Sequence, residues 1–167
     1  MSTFADVDQI MADTAERLRE LLSARGLSQP ALIGIRTGGL WVAERLARAL
    51  ALTTPVGELD VSFYRDDFGR AGMKPQVSPS SLPFEVQDRS IVLVDDVLHT
   101  GRTVRAALNE IFDYGRPASV LLVALVDRGG RELPICADVI GVRLALPAGQ
   151  QLKLQGPEPL RLVVLGG

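Results

Sequence analysis

The sequence predicts an α/β fold in which a mostly parallel central sheet is flanked by helices, and three observations support this prediction. Short aliphatic runs typical of buried strands alternate along the chain with segments whose apolar residues recur at helical spacing. No internal repeat or linker divides the 167 residues, so we expect a single domain over residues 1–167. The composition, 47% hydrophobic and 23% charged, is that of a globular chain rather than a disordered one.

The first half of the chain begins with a helix and then enters strand–helix alternation. Apolar residues at helical spacing predict a helix from Phe4 to Arg25, and Gly26 stands where a helix commonly ends. Residues 31–35 predict a buried strand, and residues 40–50 predict a second helix. The regular alternation over residues 56–64 is typical of a half-exposed strand.

The second half opens with residues 65–88, which have several Gly and Pro residues and no clear period. Irregular stretches longer than about 12–15 residues inside a compact domain are usually binding loops, active-site lids or disordered segments. Order then returns, and the predicted elements are a strand at residues 91–94, a helix at 102–114, a strand at 119–126, and short strands near residue 139 and at 160–165.

Composition also excludes several classes of protein. The longest unbroken apolar run has seven residues, 120–126, whereas a bilayer span needs roughly 20. The N-terminus has no basic region, so we expect no secretory signal and a cytoplasmic location. Cys136 is the only cysteine, which excludes an internal disulfide and a cysteine-cluster metal site. The net charge of −2 gives no general attraction for nucleic acid.

The segment from Ile91 to Thr103, I-V-L-V-D-D-V-L-H-T-G-R-T, carries the most chemical information. Asp95 and Asp96 come where a buried strand is predicted to end, and a T-G-R-T turn then opens a helix. Ligands of open parallel sheets bind beyond the carboxyl ends of the strands, and helix N-termini offer N–H groups to phosphate. Because acids repel phosphate, this pair suits ribose hydroxyls or a Mg²⁺ that bridges hydroxyls and a diphosphate. Strand termination with a Thr100 helix cap is the purely structural alternative.

This segment resembles the phosphoribosyl-pyrophosphate motif of the type I phosphoribosyltransferases. The chain as a whole, up to about Gly141, is similar to the family of bifunctional pyrimidine operon attenuators and uracil phosphoribosyltransferases. The similarity is carried by the segments G-E-L-D at 57–60, Y-R-D-D at 64–67, V-D-D-V-L-H-T-G-R-T-V-R-A-A-L at 94–108, G-R-P at 115–117, L-V-D-R-G at 125–129 and R-E-L-P at 131–134. It implies the type I fold, with a small hood over the base and a mobile lid loop.

The resemblance implies roles for individual residues. Asp95 and Asp96 would act in catalysis by holding the ribose hydroxyls, and would bind Mg²⁺ largely through the substrate. Thr100, Gly101, Arg102 and Thr103 would cradle the 5′-phosphate of phosphoribosyl pyrophosphate. The pyrophosphate loop would be Thr37, Gly38 and Gly39. The lid loop would begin at Arg65 and Asp66. His99, Asp127 and Arg128 would lie beside uracil. The family further implies UMP as product, a homo-oligomer, and pyrimidine-operon leader RNA as a partner.

His99, the only histidine, has two interpretations. An imidazole can exchange a proton near neutral pH, so it could act as a proton carrier beside uracil. The simpler interpretation, which we favour, is a spacer facing the ligand, because the family tolerates aromatic residues such as Tyr at this place.

The sequence departs from the family pattern at three places. The pyrophosphate loop commonly reads T-R-G, and Gly38 stands in place of the arginine. A histidine usually follows D-R-G, where this chain has Gly130, and an arginine often follows the proline–isoleucine pair, where it has Cys136. The missing arginine at residue 38 should weaken electrostatic help to the diphosphate, although backbone N–H groups remain. RNA binding depends largely on Lys and Arg contacts to phosphate, so the departures at Gly130 and Cys136 count against the attenuator role more than against the enzyme role.

Three hypotheses follow. The first is an enzyme that converts uracil and phosphoribosyl pyrophosphate to UMP and pyrophosphate, with possible UMP-dependent regulation of the pyrimidine operon mRNA. The second is an RNA-binding attenuator with little or no catalytic turnover. The third is a phosphoribosyltransferase for a purine or another base, which the T-G-R-T loop alone permits and the D-R-G-x-R-E-L-P segment disfavours.

Overall fold

The computed structural model describes residues 6–61 and 80–166, and a five-stranded sheet forms its centre. The strands are β1 (Ala31–Ile35), β2 (Gly57–Leu59), β3 (Ser90–Leu98), β4 (Ser119–Asp127) and β5 (Val139–Arg143). They lie in the order β2-β1-β3-β4-β5, and each neighbouring pair is parallel. The predicted fold class is therefore confirmed.

Three helices cover the two faces of this sheet: α1 (Val7–Ala24), α2 (Gly38–Ala49) and α3 (Arg102–Tyr114). The helices α1 and α2 pack on one face, where their buried residues join Val92 and Val94 of β3 in one apolar cluster. Helix α3 covers the other face, where its buried residues join Ile91 and Leu93. Successive strand residues point to opposite faces, so one aliphatic run supplies both clusters. None of the helices in the described residues is long and apolar enough to cross a bilayer.

A separate antiparallel hairpin, β6 (Gln151–Gln155) and β7 (Arg161–Leu165), follows the main sheet. Leu152 and Leu154 join the apolar cluster of α1 and α2, and Trp41 packs against that cluster and lies close to Gly156. The sequence analysis predicted β7 but not β6, because Q-L-K-L-Q has only two apolar residues and lies in a polar, Pro-containing stretch. The expected hood over the base stays a prediction.

Two strands differ in length from their predictions. The strand predicted over residues 56–64 is β2, which covers three residues, and residues 62–64 lie outside the described part of the chain. Pairing with β1 stops there because β1 itself ends at Ile35, the partner of Leu59. Strand β3, predicted to end at Val94, continues to Leu98 because β4 keeps pairing with it.

Part of the predicted irregular segment is described. Ser81 exchanges two backbone hydrogen bonds with Glu58 of β2, and the Ser80 hydroxyl donates to the Glu110 carboxylate on α3. Residues 80–88 therefore pack along the sheet edge. The two residues predicted to open the lid, Arg65 and Asp66, lie outside the described residues, and the lid stays a prediction.

Gly34 gives a test of how closely α2 approaches the sheet. A Cβ atom at this position would lie 2.4 Å from the Leu40 Cα atom, so Gly34→Ala would have to move helix backbone. We expect the substitution to lower the free energy of unfolding by about 1–3 kcal/mol or more, measured by urea denaturation. The control on the same strand is Ile35→Val, with an expected loss of about 0.5–1.5 kcal/mol. Equal stability of Gly34→Ala and wild type would contradict this packing.

Candidate active site

The topology creates one crevice at the carboxyl ends of the strands. From β1 the chain passes to β2 on one side, and from β2 it passes to β3 on the other side of β1, so the direction of winding changes between β1 and β3. Ligands of open α/β sheets bind at such a switch point. A cavity of about 540 Å³ lies here. Its lining comes from the ends of β1 and β3, the start of α3, the loop after β4, and residues 149–153 of the hairpin.

Asp95 and Asp96 line this cavity side by side on β3. Strand β1 pairs with β3 only as far as Val94, so the acids begin where β1 leaves the sheet. One carboxylate oxygen of Asp95 accepts the Asp96 N–H at 2.9 Å, and one of Asp96 accepts the Val97 N–H at 2.9 Å. Asp95 is buried and Asp96 is partly exposed. The local hydrogen bonds fix both carboxylates at the mouth of the switch point.

The glycines after β1 bring the backbone against the acid pair. A Cβ at Gly38 would lie 2.2 Å from Asp96 Oδ2, and one at Gly39 would lie 2.6 Å from the Val94 carbonyl oxygen. The peptide bond before Thr37 is cis, and α2 begins directly after it. Gly38 thus lies beside the Asp96 carboxylate and Gly39 beside the backbone of Val94 and Asp95, while none of Thr37, Gly38 and Gly39 is among the residues that line the cavity. A side chain at residue 38 would require the Asp96 carboxylate to move, whereas one at residue 39 would meet backbone.

The T-G-R-T turn forms the opposite wall. Gly101 precedes α3 with φ of 96°, a left-handed conformation that favours glycine. The Arg102 N–H donates to the Thr100 hydroxyl at 3.2 Å, so Thr100 stands one residue before the cap position. Thr100, Arg102 and Thr103 line the cavity, so the first turn of α3 begins at its wall, and the N–H groups of a first helical turn have no partner within the helix. Arg102 Nε also donates to Glu132 at 2.8 Å.

His99 and Arg128 line the same cavity. His99 Nδ1 lies 2.8 Å from the Gly129 carbonyl oxygen, and because a carbonyl only accepts, that nitrogen carries the hydrogen. Arg128 donates from Nη2 to the Gln150 carbonyl at 3.2 Å. Its Nε is buried and has no hydrogen-bond partner among the described residues. A buried donor without an acceptor is costly, so this atom suits a ligand oxygen.

Asp127, predicted beside uracil, is turned away from the cavity lining. Both of its carboxylate oxygens accept from Arg131, at 2.9 and 2.7 Å, and the Gly129 N–H donates to it at 2.9 Å. The Arg131 hydrogen bonds lower the pKa of Asp127 below its ordinary value, more than burial raises it, and the Gly129 N–H adds to the lowering. The carboxylate therefore stays ionised and holds Arg131.

The sequence analysis missed four polar cavity residues: Glu132, Gln150, Gln151 and Lys153. Glu132 lies in the R-E-L-P segment, Gln150 directly precedes β6, and Gln151 and Lys153 lie on β6. The alternation of β6 is the signal that could have found them, because Leu152 and Leu154 point into the core and leave Gln151 and Lys153 on the other face.

No group of three or more metal-binding side chains occurs in residues 6–61 and 80–166. Three described carboxylates line the cavity: Asp95 and Asp96 are neighbours on β3, whereas Glu132 is paired with Arg102. Mg²⁺ is commonly bound by one or two carboxylates together with substrate phosphates and water, so this donor set fits a substrate-borne Mg²⁺.

These features define a phosphoribosyltransferase site, and comparison with known proteins agrees. A family model described as the phosphoribosyl transferase domain matches residues 3–157, and the chain belongs to the phosphoribosyltransferase family. It is 57% identical over 161 residues to the bifunctional protein PyrR of Nitrosococcus oceani, covering 95% of this chain and 91% of that protein. It is 56% identical to PyrR of Pseudomonas fluorescens, covering 92% of each chain. The family resemblance predicted from the sequence is confirmed.

Solved structures support the same fold. A purine phosphoribosyltransferase from Pyrococcus horikoshii superposes with a TM-score of 0.61 at 29% identity, covering 82% of each chain. A hypoxanthine phosphoribosyltransferase from Trypanosoma cruzi superposes with a TM-score of 0.67 at 20% identity, covering 86% of this chain and 81% of that one. At the lower identity the likeness concerns the fold alone.

The lowered pKa of Asp127 generates a prediction about stability. A carboxyl with a folded pKa below its unfolded value stabilises the fold above the unfolded pKa, and loses this effect as pH falls through the folded pKa. Asp127→Asn should therefore lower the free energy of unfolding at pH 7 by roughly 1–3 kcal/mol. This difference should shrink as the pH falls below about 4, measured by urea denaturation across pH.

The matched control is Glu16→Gln, which removes an exposed ion pair with Arg19. It should change stability by less than about 1 kcal/mol. A difference between Asp127→Asn and wild type that stays constant from neutral to acidic pH would rule out the ionised pair as its source.

Proposed function

We propose that the protein is a cytoplasmic uracil phosphoribosyltransferase that converts uracil and phosphoribosyl pyrophosphate to UMP and pyrophosphate. One observation carries the proposal: the acid pair of β3, which begins where the pairing with β1 ends, shares one cavity with the start of helix α3 at the switch point of a parallel sheet. Uracil rather than another base is supported by the similarity to proteins named PyrR over more than nine-tenths of the chain.

Each wall of the cavity has a part in the proposed reaction. The N–H groups at the start of α3, with Thr100 and Thr103, bind the 5′-phosphate. Asp95 and Asp96 accept hydrogen bonds from the ribose hydroxyls. The backbone of residues 37–39 lies beside Asp96 and receives the pyrophosphate. Together these contacts fix C1 of the ribose relative to the incoming base.

The bond changes are simple. The N1–C1 bond forms between uracil and ribose, the C1–O bond to pyrophosphate breaks, and the N1 proton leaves. Positive charge develops on the sugar in the oxocarbenium-like transition state, and the carboxylates of Asp95 and Asp96 are placed to stabilise it. Mg²⁺ held by these carboxylates and substrate oxygens would neutralise the leaving diphosphate. The lid predicted at Arg65 and Asp66 would exclude water, which would otherwise capture the sugar.

The base is proposed to lie between His99, Arg128 and the hairpin. The buried Nε of Arg128 lacks an acceptor, and a uracil carbonyl oxygen would supply one. Lys153 lines the same cavity and makes no ion pair or hydrogen bond with the described residues, so it can donate to a second base or phosphate oxygen. Since the Asp127 carboxylate is occupied by Arg131, its contribution beside uracil would be indirect.

The proposal is tested by pyrophosphate release with uracil, cytosine and hypoxanthine compared side by side at equal concentration with Mg²⁺ and phosphoribosyl pyrophosphate. We expect release with uracil at least about 100-fold faster than with the other two bases, because a site built to pair a base's polar groups rejects analogues that leave them unpaired. Faster release with hypoxanthine would favour the purine enzyme. Absence of release with all three, despite UMP binding, would favour an attenuator without turnover.

Substitution of the acid pair tests the binding of phosphoribosyl pyrophosphate. Asp95→Asn with Asp96→Asn should abolish its Mg²⁺-dependent binding, because the amides carry no charge for the cation and bind it poorly. Calorimetry with and without Mg²⁺ measures the affinity, and circular dichroism checks the fold. The control is Asp113→Asn, on an exposed residue of α3. Unchanged Mg²⁺-dependent affinity in the double variant would refute the assignment of the acids.

The second function, RNA binding, is supported by the name of the bifunctional relatives, but the described residues favour weak binding. Gly130 lies against the His99 ring, where a Cβ would come within 2.7 Å of it. Cys136 is an exposed thiol where the family often has arginine. Most N–H groups of the Arg131 side chain donate hydrogen bonds to acceptors within the protein. Few of the expected cations are therefore available to RNA phosphates.

We predict weak or undetectable specific binding of a pyrimidine-leader hairpin at physiological salt. Each lost charge-assisted contact costs roughly 1.5–3 kcal/mol, so two or three losses weaken binding about 100-fold or more. Filter binding with a scrambled hairpin as control, with and without UMP, measures this. Nanomolar affinity for the leader that UMP strengthens would overturn the prediction and establish the attenuator function.

A further inference from the structure

Arg131 lies outside the cavity lining and yet makes four hydrogen bonds beside it. Its Nε donates to the Ile135 carbonyl at 2.8 Å, and its Nη1 donates to the His99 carbonyl at 2.8 Å. Nη1 and Nη2 also donate to the two Asp127 oxygens, at 2.9 and 2.7 Å. Four of the five N–H groups of a guanidinium are thus engaged in a fixed planar array.

These four bonds join two separate segments. Asp127 ends β4 and Ile135 lies in the crossover from β4 to β5, whereas His99 precedes the T-G-R-T turn. The crossover, residues 128–138, has no helix, and both Gly129 and Gly130 have left-handed backbone, with φ of 72° and 79°. Glycine is conformationally permissive, so this stretch depends on side-chain contacts for a single conformation.

Backbone hydrogen bonds continue the contact between the two segments. The Arg128 N–H donates to the Leu98 carbonyl at 3.0 Å, and the N–H groups of Glu132 and Leu133 both donate to the Thr100 carbonyl, at 2.9 and 3.1 Å. On the same surface, a Cβ at Gly101 would lie 3.0 Å from Ile135. The floor beneath the T-G-R-T turn is therefore the crossover that Arg131 holds in shape.

We propose that Arg131 is a positioning residue that clamps the β4–β5 crossover beneath the T-G-R-T turn, so that recognition of the 5′-phosphate depends on a guanidinium that does not touch the substrate. The inference rests on the proposed function for the identity of the phosphate ligand. Arg131 acts through the carbonyls of His99 and Ile135, and the ionised Asp127 anchors it from behind. The same clamp fixes the position of Arg128, which lines the proposed uracil site, relative to the T-G-R-T turn, which lines the proposed phosphate site.

Arg131→Lys and Arg131→Gln test the clamp. A lysine keeps the charge and can pair with Asp127, but one ammonium group cannot also reach both carbonyls in the planar fork geometry. Glutamine removes the charge as well. The matched control is Arg48→Gln, an exposed residue on α2 whose side chain makes no hydrogen bond or ion pair with the described residues. Because Arg131→Gln leaves Asp127 unpaired and can fail to fold, Arg131→Lys is the decisive variant.

Two measurements separate positioning from a purely structural role. In Arg131→Lys we expect the KM for phosphoribosyl pyrophosphate to rise about tenfold while kcat stays within about threefold, since the lost interaction serves binding of the phosphate. Hydrogen exchange in the ligand-free protein should be faster at the amides of residues 128, 132 and 133. Arg48→Gln should leave both readouts unchanged. An unchanged KM in Arg131→Lys, or a lower kcat at constant KM, would overturn the proposal.

Calorimetry with ribose 5-phosphate tests the role of Arg131 independently of the proposed enzymatic activity. If wild type releases no pyrophosphate with any base, the proposed function fails, and the affinity for ribose 5-phosphate still measures the phosphate site. An affinity about tenfold weaker in Arg131→Lys than in wild type and Arg48→Gln supports the clamp. Equal affinity in all three proteins refutes it.

Discussion

The arrangement of the site depends on one close backbone approach, that of the β1–α2 turn to strand β3. Gly34 and Gly39 have no room for a Cβ, because the Leu40 backbone and the Val94 carbonyl occupy that space. This approach brings the start of α2 against the end of β3 and leaves the Asp96 carboxylate in contact with Gly38. The acid pair and the predicted pyrophosphate loop are therefore brought together by backbone packing rather than by side-chain hydrogen bonds.

The second wall of the cavity depends on charge rather than on close packing. The crossover from β4 to β5 has no helix to support it, and its shape comes from the Asp127–Arg131 pair and the carbonyls that Arg131 reaches. A planar fork that meets a carboxylate and two carbonyls is an interaction that lysine does not reproduce. Two different constraints, glycine contact on one side and a partly buried guanidinium on the other, thus hold the two walls of one cavity.

Much of this could be predicted from the sequence, and the exceptions have physical reasons. Buried parallel strands are continuous aliphatic runs, so β1, β3 and β4 could be predicted from the local sequence pattern. The acid pair followed by T-G-R-T predicted the position of the cavity. The β6 strand was missed because its two leucines give a short alternation, and Lys153 was missed with it. The end of β3 was predicted too early because Asp95 and Asp96 look like a strand terminus, while pairing with β4 carries the strand past them. The orientation of Asp127 depends on Arg131, a tertiary contact that no local pattern encodes.

Several arginines join separate elements of the same architecture. Only Lys74 and Lys153 among the 18 basic residues are lysines. Arg17 on α1 donates to the carbonyls of Ile140 and Gly141 on the edge strand β5, and Arg45 on α2 pairs with Asp8 of α1 and Glu158 of the hairpin turn. A guanidinium can donate in several directions at once, so one residue can join two or three elements where an ammonium group would join fewer. The arginines described in these contacts hold the helices, the edge strand and the crossover together. A count of basic residues therefore overstates the positive surface that this protein offers to a nucleic acid.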